Sequence, residues 1–336
     1  MRTVLSKRTV GILLALFLLC AYSNGSATES KRIRLAFAGF GIGTIITWIA
    51  SEKKLFAPFG LEVDELYLEV ANAGGVQALL GVDFFLSSGE VLAPFEAIAN
   101  GAELVFLAAH TSKENYQFGV ASNISDIQQL KGKKVGVSGL GRKSDLIARV
   151  VLRRAGLDPL KDVEIVPVGF SPQRAAALYQ NRVQGAPLVP AVAAEAKRIG
   201  LKVLNIGEVQ LVTDLLMTTR KRSEENPDVI QKLLKGYLSA IHFFLTNREE
   251  SIRIMGQHVD LTNGPSLPAM YQSLAAQLDP VPLPTHEAIR ALIDAAAVAD
   301  KRAEKLTQQK LLEPRFLEDL KKSGFVDGLY SEKVSL

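Results

Sequence analysis

From residue 33 onward, short apolar runs alternate with longer amphipathic stretches, and this restricts the chain to strands alternating with helices in an α/β fold. Residues 33–38 (IRLAFA) predict a first strand and 44–54 the helix after it, joined by the glycine-rich turn Gly39-Phe40-Gly41-Ile42-Gly43. Strands at 61–69, 84–86 and 104–109 (LVFLAA), with helices at 76–80 and 93–100, complete an opening unit. A second unit begins near Tyr116: a helical turn at 126–130, strands at 134–138, 163–168, 186–189 and 202–206, and helices at 144–155, 172–181 and 191–199. From Asn226 the chain reads as mainly helical, with Pro227 at a helix start and apolar spacing through Ile230, Leu233, Leu234, Tyr237 and Leu238. Further helices are expected at 267–278 and 286–302, with a stiff connector around Pro280, Pro282 and Pro284.

Ahead of this pattern lies a segment of another kind. Arg2, Lys7 and Arg8 precede an apolar run from Val10 to Cys20, and Ser23, Gly25, Ser26 and Ala27 follow. A basic start, a short apolar core and a small-residue exit are the parts of a secretory signal peptide, assigned to residues 1–27. The run is short for a membrane anchor. Cys20, the only cysteine, invites a lipid-attachment reading, but Leu19 occupies the position where such sites carry a small residue, so a cleaved, unlipidated product in the periplasm is favoured. Cleavage there leaves no cysteine, and with it no disulfide, thiolate metal site or cysteine nucleophile.

Removing Arg2, Lys7 and Arg8 leaves 36 basic against 35 acidic residues, so the basicity belongs mostly to the leader. No basic stripe with interleaved aromatics remains, and nucleic-acid binding has no electrostatic footprint. His110, His242, His258 and His286 lack metal-ligand spacing, and most of them read as surface or helix residues. No serine sits in a nucleophile-elbow pattern, so the sequence favours a non-enzyme without a cofactor.

Lys54-Leu55-Phe56, Phe59-Gly60-Leu61-Glu62-Val63, Gln77-Ala78-Leu79-Leu80 and Val82-Asp83-Phe84 together resemble the opening of a known family. It is the periplasmic substrate-binding proteins of ABC importers in the taurine, sulfonate and nitrate group, with its thiamine-pyrimidine-synthase-like, NMT1/THI5-like domain. Leu130-Lys131-Gly132-Lys133-Lys134-Val135-Gly136-Val137, Gly156-Leu157-Asp158-Pro159 and the segment from Asn181 to Pro190 are similar to its second half. Two departures stand out. Leu80-Gly81-Val82-Asp83 is shortened, and at Gly185-Ala186-Pro187 the usual acidic residue is missing, so a ligand contact traced to it is in doubt and Pro187 stands in its place. The resemblance implies a two-lobed, type II periplasmic binding fold with two hinge crossings, at 116–122 and 211–218. Lobe 1 is expected to comprise 28–117 and 215–336, and lobe 2 to comprise 118–214. It also implies a monomer that closes on a small-molecule ligand and presents it to an ABC permease in the inner membrane. A ligand sensor of the same fold is the alternative.

In open α/β sheets ligands bind beyond the carboxyl ends of strands, where glycine loops permit close approach and helix N-termini offer N–H groups. Three loops qualify. The first carries Gly39, Phe40, Gly41 and Thr44, the second Ser87 and Ser88, and the third Gly139, Gly141, Arg142 and Ser144. As packing turns, caps or solvated rim residues these would look the same in sequence. Lys143 reads as rim. Phe40 and Phe170 can stack on an aromatic ligand or simply plug loops, while Trp48 is expected in the core with Ile45 and Ile49. Asp214 suits a hinge hydrogen bond or a cationic ligand. Arg142 beside a positive helix end favours an organic acid or sulfonate, with a neutral or aromatic heterocycle second.

Overall fold

A computed structural model describes residues 30–38, 41–68, 81–88, 92–258, 267–276 and 278–331. The expected leader with Cys20, the helix expected at 76–80, and Gly39 and Phe40 lie outside the described residues.

Among the described residues, ten strands form two sheets. The first has the order β2-β1-β3-β10-β4, from Lys31–Ala38 (β1), Leu61–Leu68 (β2), Phe84–Ser88 (β3), Leu104–Glu114 (β4) and Val209–Thr219 (β10). The second has the order β7-β6-β8-β5-β9, from Gln117–Val120 (β5), Lys134–Val137 (β6), Glu164–Pro167 (β7), Gly185–Leu188 (β8) and Lys202–Leu204 (β9). β1 pairs in parallel with β2 and β3, and β6 in parallel with β7 and β8. Each sheet holds one antiparallel insertion: β10 between β3 and β4, and β5 between β8 and β9. Those two strands are the first that the chain lays down after passing from one sheet to the other. This is the mixed α/β, two-lobed type II arrangement.

β4 and β10 extend beyond the first sheet. The ladder from Val212↔Thr111 to Val209↔Glu114 continues past the end of β3 at Ser88, making a two-stranded ribbon, and β5 begins at Gln117 after two intervening residues. The strand that sequence reads as the second crossing, 211–218, pairs with β4 and β3 throughout, so the return passage lies at 205–208, between β9 and β10. Arg154 holds that passage, donating from Nη1 to the Glu208 carbonyl at 2.7 Å and from Nε to Glu287 at 2.8 Å.

The helices are α1 (Ile42–Glu52), α2 (Ala93–Ala99), α3 (Lys143–Arg154), α4 (Ser171–Tyr179), α5 (Pro190–Arg198), α6 (Arg220–Glu225), α7 (Pro227–Thr246), α8 (Arg248–His258), α9 (Leu267–Ala275), α10 (His286–Ala299), α11 (Gln308–Leu311), α12 (Arg315–Lys322) and α13 (Phe325–Ser331). α7 buries Val229, Ile230, Leu233, Leu234, Tyr237, Leu238, Ile241 and Phe244, a stripe at helical spacing that packs with α1 and one face of the first sheet. Each such side chain contributes about 1.5–3 kcal/mol on burial. Trp48 packs partly against this core and stacks on His258 with ring centroids 4.3 Å apart. α10 packs on the opposite face of the first sheet and on α3, so one apolar core runs continuously from Phe85 and Phe106 through Ile289 and Leu292 to Leu146 and Val150. The free edge of β4 is covered rather than exposed: the Pro282 carbonyl accepts from Ala109 N–H at 2.9 Å, and Glu313 N–H donates to the Phe106 carbonyl at 3.0 Å.

Candidate functional site

The parallel strands of the first sheet deliver their carboxyl ends to α1. Gly41 precedes the helix and offers no side-chain cap; the sheet supplies the caps instead. Asp214 Oδ1 accepts from Gly43 N–H at 3.1 Å and Ser88 Oγ accepts from Thr44 N–H at 3.1 Å, so two orphan donors of the first turn are satisfied. A Cβ on residue 41 would lie 2.6 Å from Asp214 Oδ1, which is why glycine stands there. Asp214, Ser87, Ser88 and Thr44 are all fully or almost fully buried. Burial pushes the Asp214 carboxyl up, opposed by the Ser88 and Thr213 hydroxyls and Gly43 N–H. Behind Asp214, His110 Nε2 and the Tyr237 hydroxyl hydrogen-bond at 2.8 Å.

At the corresponding edge of the second sheet, β6 leads through residues 138–142 into α3. Ser144 Oγ accepts from Ser138 N–H at 2.8 Å, and Asp145 Oδ2 accepts from Gly141 N–H at 2.7 Å, so helix side chains brace the loop from within. Gly141 has φ +74°, and a Cβ there would come 2.4 Å from Leu92 Cδ1; at this point a loop of one sheet touches a loop of the other. Arg142 is exposed, lies along Gly139, and has no ion-pair partner among the described residues. Lys143, read as rim, pairs with Glu114 at 2.6 Å and ties α3 to the end of the ribbon. Phe170, immediately before α4, is 69% exposed. Pro187 is buried in β8, and its carbonyl accepts from Arg174 Nε at 2.9 Å.

The structure therefore gathers Gly41, Thr44, Ser87 and Ser88 at one edge and Gly139, Gly141, Arg142, Ser144, Phe170 and Pro187 at the other. Several groups read as ligand donors already serve the protein: the Gly43, Thr44 and Gly141 N–H groups and the Ser144 hydroxyl all have internal partners. Sequence reasoning passed over Arg174. The signal for Arg174 was present, since Ser171, Arg174, Ala175 and Leu178 share one helical stripe and put a cation on an apolar face.

A model of the NMT1/THI5-like family matches residues 44–251, which take in most of both sheets. The chain belongs to the NMT1/THI5-like family. Among solved structures, it is similar to the periplasmic sulfonate-binding protein SsuA of Methylobacillus flagellatus KT, with TM-score 0.58 and 21% identity over 89% of this chain and 96% of that one. It is also similar to the periplasmic aliphatic sulphonate-binding protein SsuA of Escherichia coli, with TM-score 0.52 and 21% identity over 84% of this chain and 92% of that one. At this identity the likeness concerns the fold. A search of curated protein sequences gave no match. Among the described residues, no helix is long and apolar enough to cross a membrane, and no cluster of three or more His, Cys, Asp or Glu could hold a metal.

Proposed function

We propose that this NMT1/THI5-like protein is a non-enzymatic, monomeric solute-binding protein of the periplasm that delivers a small anionic organic solute, a sulfonate or carboxylate, to an ABC permease. The observation that carries the reading is the placement of two loop-bearing sheet edges on either side of a two-stranded ribbon, with Gly141 and Leu92 meeting between them. Such an arrangement suits rigid-body closure about the ribbon, with 115–116 and 205–208 as the hinge passages and the lobes divided there. Both solved relatives carry sulfonate binding in their names, which supports the ligand class.

Mass spectrometry of small molecules released from the natively purified protein identifies the solute, and small-angle scattering with and without it should show compaction. A turnover product in place of an unchanged ligand would overturn the non-enzyme reading. Exposed Arg142 beside the α3 terminus is expected to add a grip at the rim: Arg142→Ala should weaken the native ligand about tenfold, ~1.4 kcal/mol, with little change in the ligand-free melting temperature. Unchanged affinity by calorimetric titration would return Arg142 to solvent. Export should give a mature N-terminus between Asn24 and Glu29 without lipid; N-terminal sequencing decides it, and an acylated Cys20 would reverse the assignment.

A further inference from the structure

The second-sheet edge holds a cation whose charge no described residue cancels. Arg174 in α4 is 2% exposed, and its Nε and Nη1 donate to the carbonyls of Pro187 at 2.9 Å and Gly169 at 2.7 Å. Gly169 lies two residues after β7 and Pro187 is the last but one residue of β8, the two strands that flank β6, so the guanidinium lies at the carboxyl edge of the sheet, where ligands of open α/β sheets bind. Nη2 has no partner, and no carboxylate lies within ion-pair distance, among the described residues. Carbonyl bonds satisfy donors without neutralising a full charge, and an unpaired buried ion costs several kcal/mol. A neutral amide could clamp the same two loops, so clamping alone does not account for an arginine.

The surrounding charges sharpen the point. Lys143 is cancelled by Glu114 at 2.6 Å, leaving Arg174 as the uncompensated buried charge on this edge among the described residues. Tyr116, at the first hinge passage, lies within the electrostatic reach of Lys143, Glu114 and Arg174. The opposite edge carries Asp214, a buried carboxyl that disfavours an anion. A solute's acidic group therefore belongs on the second-lobe side.

We propose that Arg174 is the buried anchor for the carboxylate or sulfonate group of the bound solute. This rests on the solute-binding reading above and assigns the acid-recognising residue within it.

Calorimetric titration would use butane-1-sulfonate and butanoate as anionic probes and butanamide as the neutral one, alongside the molecule that co-purifies. Wild type is expected to bind at least one anion. Arg174→Gln should weaken it at least about 100-fold, and Arg174→Lys, which keeps the charge but loses the planar fork, at least about tenfold. Arg182→Gln, removing an exposed charge from the same lobe, should stay within about twofold. If Arg174→Gln does not fold by circular dichroism, Arg174→Lys alone decides. A folded Arg174 variant with wild-type affinity for the anion overturns the anchor. Wild type that binds only butanamide or a neutral co-purifying molecule overturns the anchor and leaves the solute-binding reading standing; wild type that binds nothing from these or a broad metabolite panel overturns both.

Discussion

Arg149→Met should destabilise the protein by about 3–5 kcal/mol, because it strands a buried carboxylate. Asp145 and Arg149 lie one turn apart on α3, 0% and 1% exposed, with Arg149 Nε 2.9 Å from Asp145 Oδ1. Asp145 is fixed from its other oxygen by Gly141 N–H, so it cannot swing to water when its partner is removed. Asp294 on α10 compounds the loss. It is paired with Arg153 and also feels Arg149, while burial already pushes its carboxyl up. Position within the first turn of α3 offsets only about 0.3–1 kcal/mol for Asp145. Asp145→Asn combined with Arg149→Met should recover most of the loss, since asparagine keeps an acceptor for Gly141 N–H and removes the stranded charge. Urea unfolding of the three proteins reads the cycle. A single variant within about 1 kcal/mol of wild type would show that Asp145 finds another partner, and a double variant as unstable as the single would place the cost in packing instead.

This pair also shows what the sequence withheld. The alternation of apolar runs was enough to read the α/β fold, because every internal strand and the α7 stripe carry their burial in their own residues. The polar stretch from Thr111 to Glu114 gave no such sign. It continues β4 as a ribbon beyond β3, where pairing with β10 keeps it extended. For the same reason the expected fourth strand stops at residue 109 while the observed one runs to Glu114, and the apolar alternation of β10 reads as a crossing although the passage lies just before it. At the site, glycine loops at strand ends were visible, but not that Asp214, Ser88, Ser144 and Asp145 would reach back from distant or later residues to occupy their N–H groups. Side chains that cap a helix from another strand leave no local spacing to read.

The four histidines were expected mostly at the surface or on helices; His110 is buried on β4, which makes it the source of an acid sensitivity. Desolvation lowers its imidazole from the usual 6.5 to about 3, so the folded protein keeps it neutral where the unfolded chain would protonate it. The depressed folded value means that its contribution is complete above pH ~6.5 and is lost progressively as pH falls toward 3. Between pH 7.5 and 4.5 the loss should be about 2–3 kcal/mol at roughly 1.36 kcal/mol per unit. Asp214, paired across the ladder with His110, works in the opposite direction. Its raised carboxyl takes up a proton more readily in the folded state, which adds stability on acidification and partly masks the histidine. Whole-protein acid titration therefore understates the effect, and comparison with His110→Gln isolates it, since glutamine does not titrate and can still hydrogen-bond the Tyr237 hydroxyl. Whatever its absolute stability, the variant should lose about 2–3 kcal/mol less than wild type between pH 7.5 and 4.5 in urea unfolding. Equal losses in the two proteins would mean that His110 takes up its proton in the folded state as easily as in the unfolded one, by opening of the β4–α7 contact that Tyr237 holds shut.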